Sequence, residues 1–222
     1  MPTTQTNLSA VLTGDIVNSR EVPHEVLDAT FALLADAANE ISGWFAGAQT
    51  RFTRFRGDGW QVHIDEAGYG LRAALYVMAR LHADGADATT RVAIGVGSAD
   101  SLGSKDLSDA RGTAFESAGH ALDTLGRHHL LAIEGQGIGP LHRNHAALIE
   151  QLLRRWSREQ AEAMALYLHP DSPTLADMAG RIGISPQAVS YRLAGVGGPV
   201  LRRVLRNWED EFERAGTQGR PG

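Results

Sequence analysis

The stretch Arg51-Phe52-Thr53-Arg54-Phe55-Arg56-Gly57-Asp58-Gly59-Trp60-Gln61-Val62-His63-Ile64 alternates polar and apolar residues on both sides of a Gly-Asp-Gly break. A period of two in each arm with turn residues between them predicts a β-hairpin. Upstream, residues 8–13 form a short apolar run that ends at Gly14-Asp15, a first strand. Between the two, residues 23–46 place Val26, Leu27, Phe31, Leu34, Ala38, Ile41 and Phe45 at helical spacing, with Pro23 suited to the first turn. Downstream come a helix at about 66–83, a strand at 91–96, a Gly/Ser/Asp-rich loop at 97–112, a helix at 113–126 and a last strand near 129–133. The order is β-α-β-β-α-β with one further helix and strand, an α+β arrangement.

Three glycines, Gly135, Gly137 and Gly139, precede Pro140 and read as a linker. Beyond it every segment has helical periodicity. Two domains follow, 1–138 and 143–215. The 222-residue length accommodates both.

Composition narrows the function. Hydrophobic residues make up 43% and charged residues 21%, the balance of a packed globule. No apolar run reaches membrane-spanning length, and Met1 to Thr6 lacks the basic start and apolar core of a secretory signal. There is no cysteine, which removes disulfides and thiolate metal sites and fits a cytoplasmic protein. Residues 1–140 hold 10 Lys+Arg against 17 Asp+Glu, whereas residues 141–222 hold 11 against 9. An acidic first part and a mildly basic second part point to two jobs, the second near a polyanion.

The second part carries a helix-turn-helix signature. Thr174 precedes a short helix with Asp177 three residues on, and Leu175, Met178, Ala179 and Ile182 supply its inner face. Gly183-Ile184 makes the turn, Ser185 is a natural N-cap, and Pro186 a natural first residue of the next helix. With Val189 and Leu193 inward, Gln187, Ala188, Ser190, Tyr191 and Arg192 lie outward. Gln pairs bidentately with adenine, Arg with guanine or phosphate, and Ser and Tyr with phosphate. These five are the expected DNA-contacting residues, with Arg202, Arg203 and Arg206 as further candidates. An ordinary helical bundle is the plain alternative.

The first part carries paired aspartates. In a β-α-β-β-α-β unit the end of strand one and the hairpin turn reach the same sheet edge, so Asp15 and Asp58 should converge. A Gly-Asp-Gly hairpin alone is commonly just a good turn; the pairing raises its interest. Oxygen-only ligands suit Mg2+ or Mn2+ holding phosphates. Gly14, Gly57 and Gly59 would admit a nucleotide close to the backbone, and the amides of Ile16 to Ser19 would receive its phosphates.

Asp15-Ile16 after a strand, Gly57-Asp58 in a hairpin, Ile94-Gly95-Val96-Gly97 on a later strand and Asp109-Ala110-Arg111-Gly112 before a helix resemble class III nucleotide cyclases and their palm-domain relatives. Gly14 to Arg20, the hairpin, and Arg111-Gly112-Thr113-Ala114-Phe115 followed by a helix-turn-helix resemble the SatD family over roughly residues 8–195. The resemblance implies a ferredoxin-like, palm-type (nucleotide cyclase-like) domain. It implies metal contacts at Asp15, the Ile16 carbonyl and Asp58 and nucleotide contacts at Arg54 and Asp109; with Asn18, Ser19 and Arg20 of the loop and Gly57 of the turn these make up the expected nucleotide-contacting set. Arg54 stands where cyclases have a base-selecting lysine. Their transition-state asparagine and arginine fall at Glu116 and His120, which removes electrostatic stabilisation of the transition state and leaves the catalytic residues unassigned.

The expectation is a DNA-binding transcriptional regulator with a nucleotide-binding sensor domain, dimeric and not membrane-bound. The alternative is a metal-dependent nucleotidyl cyclase or oligonucleotide synthase with an accessory helix-turn-helix. A sensor that contacts only proteins is a third reading. The pairs His128-His129 and His142-x-x-His145 are read as solvated or packed rather than as metal ligands.

Overall fold

The computed structural model describes residues 8–44, 50–55, 57–85 and 88–218. The end of the expected first helix, Phe45 and Ala46, and Arg56 of the hairpin lie outside them. The described residues form a mixed α+β fold with one five-stranded sheet and eight α-helices.

Strands β1 (Ser9–Ile16), β2 (Arg51–Arg54), β3 (Gly59–Ile64), β4 (Thr90–Gly97) and β5 (Leu131–Gly135) are ordered β2-β3-β1-β4-β5. β1 is central and antiparallel to both neighbours, and β5 joins β4 in parallel. Helices α1 (His24–Ser42) and α2 (Gly70–Asp84) provide the first two crossovers, α2 entered through a 3₁₀ turn at Ala67–Tyr69; α3 (Thr113–Thr124) provides the third. This is the expected order. The last strand starts two residues later than the periodicity indicates.

The alternation of β1 divides the sheet into two faces. Leu12 and Ile16 belong to the core that includes Phe31, Leu34 and Ile41 of α1 and Leu71 and Leu75 of α2. Val11 packs instead with Ala114, Phe115 and Ala118 of α3. On β4, Gly95 and Gly97 let α3 approach: a Cβ at Gly95 would stand 2.1 Å from the Ala114 carbonyl, and one at Gly97 2.2 Å from Thr113 Oγ1. At the outer edge, Arg51 of short β2 donates through Nη1 to the carbonyls of Leu102 and Gly103, and Thr53 Oγ1 accepts from the Leu107 amide. The 98–112 loop is thereby tied across that margin.

The glycine-rich segment expected to be a linker is a tight, packed turn. Gln136 N–H donates to Val96 O, Ile138 N–H to Gly135 O, and Ile138 is buried. Helix α4 (Pro140–Leu153) starts at once, because Pro140 suits a first turn and Gly139 N–H is taken by His142 Nδ1. Then come α5 (Arg158–Tyr167), α6 (Leu175–Ile182), α7 (Pro186–Gly195) and α8 (Gly198–Gln218), the last running past the expected end near 213.

The two parts share one core. Leu71, Leu75 and Val77 of α2 belong to the same buried cluster as Ala161, Met164 and Leu168 of the helical part. Arg72, 4% exposed, donates to both carboxylate oxygens of Glu209 on α8 at 2.5 and 2.9 Å, and to the Leu168 carbonyl at 3.0 Å. Among the described residues no helix is long and apolar enough to cross a membrane.

Candidate functional site

Asp15 and Asp58 do reach one sheet edge. Asp15 is paired with Gly59 in the β1–β3 ladder, and Ile16 N–H donates to the Asp58 carbonyl at 3.2 Å. The Asp58 side chain accepts from the Ser19 hydroxyl. Asn18 adopts φ 52°, a left-handed turn position that asparagine tolerates, and Glu21 N–H closes that turn on the Asn18 carbonyl at 2.8 Å. The loop after β1 is thus folded back toward the hairpin tip, where Gly57 has φ 89°.

Arg91, a residue to which sequence reasoning gave no role, occupies the centre of this cluster. It faces Asp15 directly in the β1–β4 register. Its Nε donates to Asp15 Oδ1 at 2.8 Å and its Nη2 to Oδ2, so both carboxylate oxygens are engaged. Nη1 reaches the Leu125 carbonyl at 3.4 Å, just beyond α3. The hydrogen bonds to Asp15, and the negative charges of Asp15 and Asp58, hold the Arg91 guanidinium above even its usual range despite partial burial. A fixed cation therefore already faces both carboxylates. The signal in the sequence was an arginine opening an otherwise apolar strand, but its meaning depends on a register spanning 76 positions.

This bears on the metal expected at Asp15, Ile16 and Asp58. A divalent ion bound between the two carboxylates would have to displace the Arg91 guanidinium, and Ser19 already holds one Asp58 oxygen. As arranged, the donor set does not fit a resident divalent ion. No group of three or more His, Asp or Glu able to hold a metal occurs among the described residues.

The expected nucleotide-contacting residues divide. Ser19 and Gly57 adjoin the Asp58 carboxylate, while Asn18 and Arg20 are exposed on the same loop. The amides of Ile16 and Val17 are committed to Asp58 O and Thr89 O. Arg54 points elsewhere: its guanidinium lies 3.9 Å from the Phe31 ring centre and pairs with Asp28, on the α1 side of the sheet. Asp109 accepts from the Ser104 amide and hydroxyl in the 98–112 loop. Gly14 serves packing, since a Cβ there would come within 2.4 Å of the Trp60 indole, whose N–H donates to Thr90 Oγ1. Glu116 and His120 are exposed on α3.

In the helical part α6 and α7 pack against each other across the expected turn. Thr174 Oγ1 accepts from Asp177 N–H at 3.1 Å while Asp177 returns a bond to the Thr174 amide, and Ser185 Oγ accepts from Ala188 N–H at 3.2 Å. Gly183 takes φ 70°, a conformation that disfavours a side chain, and lets the chain turn. Met178, Ala179, Val189 and Leu193 are buried, whereas Leu175 is more exposed than its inward assignment implies. Gln187, Ser190 and Tyr191 face solvent, Tyr191 at 80% exposure, and Ala188 is half-buried.

Arg192 is turned inward. Its Nη1 donates to Glu162 Oε2 at 2.8 Å and to the Glu159 carbonyl at 3.3 Å, clamping α7 to α5. Arg202 likewise lies 3.3 Å over the Tyr167 ring, while Arg203 and Arg206 are exposed.

Comparison with known proteins yields little likeness. No family model and no curated protein matches the chain. One similar solved structure is a bacterial light-regulated adenylyl cyclase, at TM-score 0.31 and 15% identity over 67% of this chain. The match covers 40% of that protein, so this chain spans well under half of its length.

Proposed function

We propose that this chain is a DNA-binding regulator that reads duplex DNA through α7. The observation that carries the reading is the exposed Gln187, Ser190 and Tyr191 face on a doubly capped helix pair with a left-handed glycine in its turn. These three side chains offer base-edge and phosphate contacts. Exposed Arg203 and Arg206 on α8 add positive charge for backbone contacts. In this reading the protein acts as a homodimer on a two-fold operator. The sheet domain is a ferredoxin-like, SatD-type sensor whose Ser19–Asp58 loop meets a nucleotide.

The test is selection of duplexes from a random library, followed by anisotropy titrations at several salt concentrations. Sequence-selective binding that weakens in Gln187→Ala and Tyr191→Ala, with folding intact, supports the reading. Equal, weak binding of all duplexes by all variants overturns it.

The second reading, a metal-dependent nucleotidyl cyclase or oligonucleotide synthase, is favoured by the meeting of Asp15 and Asp58 at one edge. The Arg91 guanidinium weighs against it, because catalysis by Mg2+ or Mn2+ needs those oxygens free. Formation of a cyclic or linked product from ribonucleotides, abolished by Asp58→Ala, would establish it.

A further inference from the structure

A cavity of about 300 Å3 lies between α1, α2, α5 and α6 and shares no lining residue with the Asp15–Asp58 edge. That size is at the lower end of small-molecule sites. Its α2 wall is built and rigid. Glu40 accepts from the Tyr76 hydroxyl and from Arg80, and Arg80 Nη1 donates to Tyr76 Oη at 2.8 Å. The Trp44 indole braces this wall edge-on, 5.2 Å from the Tyr76 ring centre and 6.0 Å from that of His169.

Two ion pairs steady the walls. Arg80 is matched by Glu40, and Glu162 is matched by Arg192. Arg181, in the last turn of α6, has no hydrogen bond or ion pair among the described residues. The residue is exposed, and the charge of Asp177, one turn earlier and capping Thr174, acts on it without a direct bond. His169 also lines the cavity, its Nδ1 facing Asp171 at 3.3 Å from the amide and 3.6 Å from the carboxylate. Leu166 and Ile182 give the remaining wall an apolar surface.

We propose that this cavity binds a small monoanionic organic acid, its carboxylate held by Arg181 and its apolar body lying against Leu166 and Ile182. A guanidinium receives a carboxylate in a planar two-bond geometry, and the apolar side offers an organic body contacts that an inorganic anion cannot make. The site touches both controls of the helix pair. Arg181 and Ile182 immediately precede the Gly183 turn, and Glu162 holds Arg192 of α7. A bound acid would therefore lie beside the turn that sets α7; a link to DNA contact rests on the DNA-binding reading, whereas binding itself does not.

The experiment is calorimetric titration of the full chain with benzoate, phenylacetate and indole-3-acetate, with benzamide as the uncharged control. Saturable binding of at least one acid and none of benzamide is expected. Arg181→Ala should weaken that acid by roughly tenfold or more, as loss of a charged hydrogen-bond partner does, while Arg203→Ala leaves it unchanged. Binding by none of the acids, or equal binding in Arg181→Ala, overturns the proposal. Repeating the titration in Tyr191→Ala separates the two readings: acid binding that persists while DNA binding is absent keeps the site whatever α7 contacts.

Discussion

Arg91 and Asp15 stand opposite each other on adjacent strands and share two nearly parallel hydrogen bonds, with Asp58 close enough to add its charge. The pair is only about a quarter exposed, so water screens it weakly. Arg91→Ala would leave two neighbouring carboxylates without their cation and should cost about 1–3 kcal/mol. The same change should create a divalent site where there was none. Millimolar Mg2+ should leave the unfolding midpoint of the parent protein unmoved and raise that of the variant. A parent protein stabilised by Mg2+ as strongly as Arg91→Ala would show that the guanidinium yields readily.

Gly95→Ala tests how α3 is seated. The new methyl would lie 2.1 Å from one backbone oxygen and 2.4 Å from one backbone nitrogen of α3, neither of which can rotate away. The helix must lift, and a loss of about 1–3 kcal/mol is expected in urea denaturation. Gly119→Ala, where a Cβ meets nothing within 4 Å, should be neutral or slightly stabilising.

Removing one partner of the Arg72–Glu209 pair should be costly out of proportion to a surface ion pair. Glu209→Ala strands a guanidinium that is 4% exposed, at about 3–5 kcal/mol. Amide exchange should then accelerate in α8 first. Arg214→Ala, whose partner Asp210 is exposed, should change stability by less than about 1 kcal/mol.

Glu150 sets an acid limit. Burial would raise its carboxyl, but hydrogen bonds from Arg154 and from the amides of Leu130 and Leu131 outweigh burial and hold it below the usual carboxylate range. Its folded value is therefore depressed. The stabilisation is present above the unfolded value and is lost as pH falls through the depressed folded one, on the acid side of the ordinary glutamate range. Glu150→Gln should flatten that part of the stability profile, measured by chemical denaturation at a series of pH values.

How much was legible beforehand depended on the range of the interaction. The hairpin was readable because alternation and Gly-Asp-Gly are local, and α6–α7 because caps and a turn glycine act within four residues. Convergence of Asp15 and Asp58 followed from strand directions alone. Arg91 was missed because its partner is set by register, not by spacing. The inward turn of Arg192 depends on Glu162, thirty positions earlier. Arg54 sat at the right distance from the hairpin aspartate, yet strand alternation sends it to the α1 side. Gly95 and Gly14 are glycines for steric reasons that only neighbours brought from elsewhere can supply.

Helix α2 lies pinned between the sheet and α5, with apolar side chains turned toward both. Cutting the polypeptide after Ile138 would strip one flank and leave the α5-facing side of α2 in water. Such a fragment would be sticky, and its missing half would lose the platform on which its own helices rest. The molecule should accordingly melt in a single step, and any signal arising at one end would be felt mechanically at the other without a hinge between them.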